Sequence, residues 1–223
     1  MALREITLRG THGNNEKLAP SKLICIGRNY VDHIHELGNE LPDDMVVFLK
    51  PNSAISHHLI AFSQEAIHYE AELCFLVKDG TFAAVGLGLD LTKRELQGKL
   101  KSKGLPWERA KAFDGSAVFS EFVCLDAQQS LMTLPWSFEF ELEGQLLQRG
   151  DSALMLYSPQ QILQSISEFM TLEDGDIVMT GTPKGVGVLQ AGGLYQARLW
   201  QGPLDGEKIN SQTPTLSVSW QAS

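Results

Sequence analysis

Short apolar runs of five to nine residues recur along the chain, separated by polar or glycine-containing segments. Runs of this length that are rich in β-branched and aromatic residues are typical of strands. They lie at residues 22–27, 45–49, 71–77, 83–91, 117–125 and 176–181. Because many short strands accompany few helices, the pattern predicts an α+β fold that is rich in strand.

Three segments instead carry apolar residues at helical spacing. The first is predicted to begin after a cap at Asn29 and to end at Gly38. Its apolar positions Val31, Ile34 and Leu37 fall on one face, which is expected to turn inward.

The other two predicted helices have clear start signals. Thr92 and Glu95 form a T-x-x-E capping box, which predicts a helix that ends at Gly104. Ser158 followed by Pro159 predicts the start of a third helix. The apolar face of this third helix comprises Ile162, Leu163, Ile166, Phe169 and Met170.

Apolar and acidic residues alternate from position 137 to position 143. The apolar set is Phe138, Phe140 and Leu142, and the acidic set is Glu139, Glu141 and Glu143. A period of two predicts a strand with two unlike faces, and Glu143–Gly144 then predicts a turn. Three like charges with no His or Asp nearby indicate a solvated face rather than a metal site.

Composition narrows the class of protein. The 223 residues are 43% hydrophobic and 20% charged, which is ordinary for a folded globular domain. A formal net charge of -9 argues against nucleic-acid binding and against a membrane surface, since both need clustered Lys and Arg. No stretch is long and apolar enough to span a bilayer, and a cytoplasmic protein is expected.

The three cysteines carry no metal or disulfide signature. Cys25, Cys74 and Cys124 each lie in an apolar run, their number is odd, and no CxxC spacing occurs. All three are therefore predicted to be buried thiols that pack in the core.

The strongest chemical signal is a group of three acidic residues. His68, Glu70 and Glu72 alternate with other residues ahead of an apolar run, so in a strand the two glutamates share one face with Cα atoms about 6.6 Å apart. Two acids beside a core repel each other unless a cation lies between them. Asp90 ends another apolar run and could be a third ligand. Carboxylates without Cys or His favour Mg²⁺ or Mn²⁺; the spacing alone equally allows an exposed edge strand.

Two further features are weaker. His33 and Glu36 are three residues apart in the first predicted helix, so Glu36 could orient His33 as a general base, although a surface pair with no function has the same spacing. The segment TGTPKGVG at 180–187 offers backbone N–H groups but fails both the GxxxxGK[ST] and the GxGxxG patterns, which favours a structural turn.

Taken in order, several segments resemble the fumarylacetoacetate hydrolase family, and in particular its short acylpyruvase-like branch. They are ICIGRNYVDHIHE, FLKP, HYEAEL, GLGLDLTKRELQ, KGLPWERAKAFDGSA and GDIVMTGTPKGVG. The resemblance covers nearly the whole chain, in the family's order and at compatible spacings. It implies a single catalytic domain over residues 1–223, without the extra N-terminal domain of longer relatives, and a mixed β-roll.

The resemblance also implies roles for individual residues. A Mg²⁺ or Mn²⁺ ion is expected on Glu70, Glu72 and Asp90, and a catalytic pair, His33 with Glu36, on a lid. A family lysine that reaches the site matches Lys111, and positions that contact the substrate's carboxylate or oxo group match Arg28, Gln97 and Thr182. Lys50, in FLKP, is a weaker candidate for a place near the site. A homodimer is implied as well. Glu95 stands where many members have Asp, which weakens the transfer of a specific substrate.

The family implies an enzyme acting on small 2-oxo acids, and several reactions remain open. The favoured one is hydrolysis of an acylpyruvate to pyruvate and a carboxylic acid. The alternatives are oxaloacetate decarboxylation, oxaloacetate keto–enol tautomerisation, and isomerisation of a 2-hydroxyhepta-2,4-diene-1,7-dioate type of substrate in aromatic catabolism. All of them need the three carboxylates, but hydrolysis should depend most heavily on His33. A binding module without catalysis is disfavoured because every expected ligand and the His–Glu pair are present.

Overall fold

The computed structural model describes residues 2–10, 14–36, 38, 40–125, 135–203 and 213–223. Within these residues the strands are β1 (Ile6–Arg9), β2 (Glu16–Leu18), β3 (Lys22–Gly27), β4 (Val46–Pro51), β5 (Ile55–Ser56), β6 (Phe62–Ser63), β7 (Glu65–Tyr69), β8 (Ala71–Lys78), β9 (Thr81–Asp90), β10 (Thr92–Lys93), β11 (Ala117–Phe119), β12 (Phe122–Cys124), β13 (Trp136–Leu142), β14 (Gln145–Asp151), β15 (Ile177–Met179), β16 (Gly187–Val188), β17 (Leu194–Gln201) and β18 (Leu216–Gln221). The helices are α1 (Val31–Glu36), α2 (Arg94–Ser102), α3 (Glu108–Lys111) and α4 (Pro159–Ser167). This confirms the strand-rich α+β class.

The largest sheet positions the chemistry. Its ten strands include the order β2-β1-β12-β9-β8-β15-β3-β4, so β8 and β9 lie near the centre. These two strands form an antiparallel hairpin in which Ala71 pairs with Leu89 and Glu72 with Gly88. The start of β8 therefore lies beside the end of β9, and residues far apart in sequence meet at one edge of the hairpin.

A second layer encloses the apolar core. The sheet β14-β13-β17-β18 packs its apolar face against residues of β7, β8 and β9. Phe140 stacks on Tyr195 with ring centroids 5.5 Å apart, and Tyr69 approaches Phe140 at 5.2 Å. Burial of large aromatic side chains contributes much of the stability of such a core.

The predicted strands are all found, and the 117–125 run is divided into β11 and β12. The helix predicted at Ser158 is confirmed as α4, with a capping box between Ser158 and Gln161. Phe169, expected on its buried face, lies beyond the end of α4 and is 61% exposed. The turn at Glu143–Gly144 is also confirmed, since both residues have positive φ between paired strands.

Two predicted helix caps are wrong. Thr92 belongs to β10 and its hydroxyl bonds the Asp90 carbonyl and the Lys111 ammonium, so it caps nothing. Asn29 is fully buried, and its side-chain amide bonds the main chain of Tyr157 and Thr180 instead of the first turn of α1. In both cases a tertiary partner replaces the local one. Leu37, predicted to face inward from this helix, lies outside the described residues.

Two predictions about burial are corrected as well. Cys25 and Cys74 are buried, but Cys124 is exposed near the end of its short strand. The acidic face of β13 is not solvated at Glu139, which is buried under ion pairs with Arg149 and Arg198 from the neighbouring strands. Cross-strand arginines therefore neutralise charges that a single strand pattern places in water.

The helices of the described residues reach at most nine residues, and none could traverse a bilayer.

The Asp176 side chain links the residue before β15 to the start of β3 through hydrogen bonds. Its carboxylate accepts hydrogen bonds from the amide and hydroxyl of Ser21, from the amides of Lys22 and Glu173, and from the Lys22 ammonium at 2.5 Å. Burial alone would raise the pKa of Asp176, but the Lys22 ammonium and these N–H and O–H donors lower it below its usual value. The charged form is therefore the form that the fold stabilises.

Replacing Asp176 with asparagine is expected to lower the free energy of unfolding at pH 7 by about 2–3 kcal/mol. The side-chain NH₂ of asparagine would face N–H and O–H groups that now donate to the Asp176 carboxylate, and the negative charge beside Lys22 would be lost. The folded pKa lies below the unfolded value, so the wild-type advantage is present above about pH 4 and is lost as the pH falls through the folded pKa. Urea unfolding of both proteins from pH 7 to pH 3 measures this. Asp43→Asn, at an exposed aspartate, is the control; an equal loss there, or a gap that does not narrow in acid, would contradict the assignment.

Candidate metal centre and active-site cleft

Three buried carboxylates converge where the β8–β9 hairpin meets β7. Glu70 precedes β8, Glu72 lies on β8 and Asp90 ends β9, where its amide donates to the Glu70 carbonyl at 2.8 Å. The strand register places all three side chains on one face. One oxygen from each lies within 4.8 Å of the others, and no residue of the three is more than 6% exposed. The structure thus brings together the three acids that the sequence suggested as metal ligands.

Two lysines and an arginine surround this carboxylate cluster. Lys111 Nζ lies 2.9 Å from Glu70 Oε2 and 2.6 Å from Asp90 Oδ2. Lys50 Nζ is 2.8 Å from Asp90 Oδ1, and Arg94 forms an ion pair with Glu70. Both lysines are almost completely buried, so the cluster is a desolvated network rather than a set of surface pairs.

The positive charges of Lys50, Arg94 and Lys111 lie against Glu70 and Asp90 rather than against Glu72. Burial alone would raise the pKa of Glu70, but Lys111 and Arg94 lower it well below its usual value. Burial, together with the charges of Asp90 and Glu70, raises the pKa of Glu72 well above its usual value. Burial alone would lower the pKa of Lys111, but Asp90 and Glu70 raise it, so Lys111 stays an ammonium.

The donor set fits a hard divalent cation. Glu72 has no ion-pair partner among the described residues and accepts one hydrogen bond, from the Gly181 amide at 2.8 Å. Asp90 Oδ1 is buried and has no hydrogen bond there, although Lys50 Nζ is close. Unused carboxylate lone pairs inside a protein are costly, and an ion such as Mg²⁺ or Mn²⁺ would use them.

The His33–Glu36 pair faces the cleft from α1. His33 Nδ1 and Glu36 Oε2 are in a hydrogen bond of 3.0 Å, and Glu36 Oε1 accepts from the Gly185 amide at 2.9 Å. His33 is buried and lines the same cavity as the carboxylates. With Nδ1 held by a carboxylate, the other ring nitrogen, Nε2, is the one left for proton transfer.

One loop supports both parts of the site. The segment 180–187, expected to be a structural turn, donates its Gly181 amide to Glu72 and its Gly185 amide to Glu36. Gly181 and Gly185 both have positive φ, and a Cβ at Gly185 would lie 2.2 Å from the Leu147 carbonyl oxygen. Glycine is therefore required where this backbone approaches the site.

A cleft opens onto the carboxylate cluster. Of the nine predicted site residues, those lining it are Arg28, His33, Glu70, Glu72, Asp90, Gln97, Lys111 and Thr182. Glu36, the ninth, does not line the cleft but is hydrogen-bonded to His33. The backbone of Arg28 is left-handed, with φ of 57°, a strained geometry that is common at functional sites. The Thr182 hydroxyl already donates to the Ala71 carbonyl and accepts from Gln148, so protein contacts hold it in place.

Several cleft residues were missed by sequence reasoning. Arg94 lines the cleft, pairs with Glu70 and donates to Gln97 at 2.8 Å; its position three residues before Gln97 on α2 was an available signal. Lys50, a weaker candidate from the sequence, does not line the cleft but lies fully buried against Asp90. Phe48, Lys101 and Trp107 carried no signal, because their placement depends on how β4 and α3 fold against the hairpin.

Comparison with known proteins identifies relatives of this arrangement. Residues 22–212 match the family model described as fumarylacetoacetate (FAA) hydrolase C-terminal. The chain is 37% identical over 192 residues to oxaloacetate tautomerase YcgM of Escherichia coli (strain K12), covering 77% of this chain and 85% of that protein. It is 35% identical over 190 residues to a mitochondrial oxaloacetate decarboxylase of Dictyostelium discoideum, covering 77% and 85%.

A solved structure shares the fold and carries ligands. The fumarylpyruvate hydrolase of Pseudomonas aeruginosa, in complex with Mn²⁺ and pyruvate, superposes with a TM-score of 0.82 at 25% identity, covering 100% of this chain and 96% of that one. The relatives are thus similar in fold and differ in the reaction named for each.

Proposed function

Because the chain belongs to the fumarylacetoacetate hydrolase family, we propose that it catalyses the keto–enol tautomerisation of oxaloacetate or a close 2-oxo acid with the aid of Mg²⁺ or Mn²⁺. The observation that carries the proposal is the buried triad of Glu70, Glu72 and Asp90 with Lys111 against two of its members. The sequence favoured acylpyruvate hydrolysis. The relative at 37% identity is named oxaloacetate tautomerase, which supports tautomerisation ahead of hydrolysis, and the relative at 35% identity is named oxaloacetate decarboxylase, which supports oxaloacetate as the substrate.

The chemistry divides between the cation and the chain. A cation held by the three carboxylates would supply positive charge beside the carboxylate and 2-oxo oxygens of the substrate. That charge would stabilise the negative charge that develops on the 2-oxo oxygen as the enolate forms. The Lys111 ammonium adds a fixed positive charge at the same place. Arg28 and Lys101 line the cleft and offer positive charge for the second carboxylate of a dicarboxylic substrate.

His33 is positioned to move the proton. Enol and keto forms differ in the position of one proton, which leaves the enol oxygen while a proton is added at C3. The Glu36 carboxylate holds Nδ1, so Nε2 can accept and return that proton. Gln97 and Thr182 stay proposed contacts to the substrate head group, since both line the cleft.

Acylpyruvate hydrolysis is the second candidate, and the His33–Glu36 pair favours it. A base held by a carboxylate can activate water for attack on the distal acyl carbonyl, giving pyruvate and a carboxylic acid. This reaction needs the base at every turnover, whereas enolisation next to a cation also proceeds with water as the base.

Replacing His33 with alanine separates the two candidates. We expect acetylpyruvate cleavage, if the wild type shows it, to fall by about 100- to 10,000-fold. We expect oxaloacetate tautomerisation to fall less, because water can replace His33 as the base beside the cation. The measurement is a Mg²⁺ and Mn²⁺ titration of both reactions with wild type and variant, and His35→Ala, an exposed neighbour on the same helix, is the control. A wild type that interconverts the forms of oxaloacetate no faster than the free metal ion would overturn the tautomerase proposal.

A further inference from the structure

A second cavity adjoins the metal-centre cleft on the side of β4 and α3. It shares Val46, Phe48, Trp107 and Lys111 with the cleft. Its apolar lining consists of Val46, Val47, Phe48, Leu49, Pro106 and Trp107. We refer to this cavity as the apolar groove.

Phe48 and Trp107 form the aromatic wall between the cleft and the apolar groove. Their ring centroids are 6.0 Å apart with planes at 60°. Lys111 Nζ, which contacts Glu70 and Asp90, is only 5.2 Å from the Phe48 ring centroid. A substrate whose head group lies at the carboxylate cluster would therefore place the substituent on its C3 atom within reach of this wall.

The two cavities differ in chemistry. The cleft is lined by carboxylates and by basic groups such as Arg28, Arg94 and Lys101, whereas Glu108 and Lys111 are the charged residues that line the groove. Oxaloacetate carries a carboxylate at each end and has no group that gains from an apolar, aromatic surface. Trp107 is only partly buried and lines the groove, although Lys101 Nζ lies over its ring, 5.7 Å from the centroid.

We propose that the apolar groove is a subsite for an apolar substituent on C3, and that the enzyme also tautomerises arylpyruvates, with phenylpyruvate as the simplest case. This inference rests on the proposed tautomerase function. The reaction breaks the enol O–H bond and forms a C3–H bond, with nothing oxidised or reduced. The 2-oxo acid head is the same as in oxaloacetate, and the phenyl ring takes the place of the distal carboxylate against Phe48 and Trp107.

The test is the rate of enol-to-keto conversion of phenylpyruvate and of oxaloacetate, each followed by ultraviolet absorbance with Mg²⁺ present. We expect both rates to exceed the metal-only background. Turnover of oxaloacetate without phenylpyruvate would overturn the subsite and leave the tautomerase function standing. Turnover of neither would overturn both.

Variants of Trp107 locate the subsite. Trp107→Ala is expected to lower kcat/KM for phenylpyruvate about 10-fold more than for oxaloacetate, mainly through KM, and Trp107→Phe to restore most of that difference. Leu105→Ala changes a 47% exposed side chain that lines neither cavity and is expected to match the wild type. An equal loss for both substrates in Trp107→Ala would mean that Trp107 only supports the fold, and the subsite would be wrong.

Discussion

Replacing Glu72 with glutamine is expected to lower kcat/KM for oxaloacetate by about 1,000-fold while leaving the metal-free protein at least as stable as the wild type. Glutamine keeps the volume of the side chain and an oxygen for the Gly181 amide. It removes the one charge of the triad that has no ion-pair partner among the described residues and that Asp90 and Glu70 oppose. Activity and stability should therefore change independently.

Thermal unfolding with and without Mn²⁺ tests this split. Wild type should gain stability as Mn²⁺ is added, since the folded state alone holds the three ligands together. Glu72→Gln should gain little. Glu95→Gln, which removes an exposed carboxylate paired with Lys99, should behave as wild type in both assays. Equal stabilisation of Glu72→Gln and wild type by Mn²⁺ would show that Glu72 is not a ligand.

The metal triad could be found from sequence because its signal is local. The alternation of His68, Glu70 and Glu72 predicts a shared face for the two glutamates. Both glutamates do reach the cluster, although Glu70 lies between β7 and β8 and His68 belongs to β7. Asp90 marks the end of an apolar run. What the pattern could not show is that the pairing of β8 with β9 brings the Asp90 amide to the Glu70 carbonyl, since register is set by the hairpin between the strands. The resemblance to a family supplied that step.

Other features depend on partners that no local pattern contains. Asn29 has the sequence of a helix cap, yet it bonds main-chain groups 128 and 151 residues away. The alternating pattern around Glu139 predicts a solvated acid, yet arginines from two neighbouring strands form ion pairs with its carboxylate. In each case a charged or polar side chain gains more from a distant buried partner than from water or its own turn. Such partners become visible only once the sheets are assembled.

Replacing Lys111 with methionine is expected to lower activity as Glu72→Gln does, but to have the opposite effects on stability and on Mn²⁺ binding. The variant should lose about 100- to 1,000-fold in kcat, because a fixed positive charge beside the developing oxyanion is removed. The metal-free protein should lose about 3–5 kcal/mol of stability, because Glu70 and Asp90 are left buried with one cation partner fewer each.

The same change should strengthen Mn²⁺ binding. Without Lys111 the net charge around the three carboxylates becomes more negative, so a divalent cation gains attraction and recovers part of the lost stability. Calorimetric titration with Mn²⁺ measures the affinity, and Lys103→Met, at an exposed lysine, is the matched control. Weaker Mn²⁺ binding in Lys111→Met would mean that the ammonium positions the ligands more than it competes with the ion. Tighter Mn²⁺ binding together with lost turnover would show that Lys111 is not needed to bind the cation. The role of Lys111 would then lie in the reaction itself.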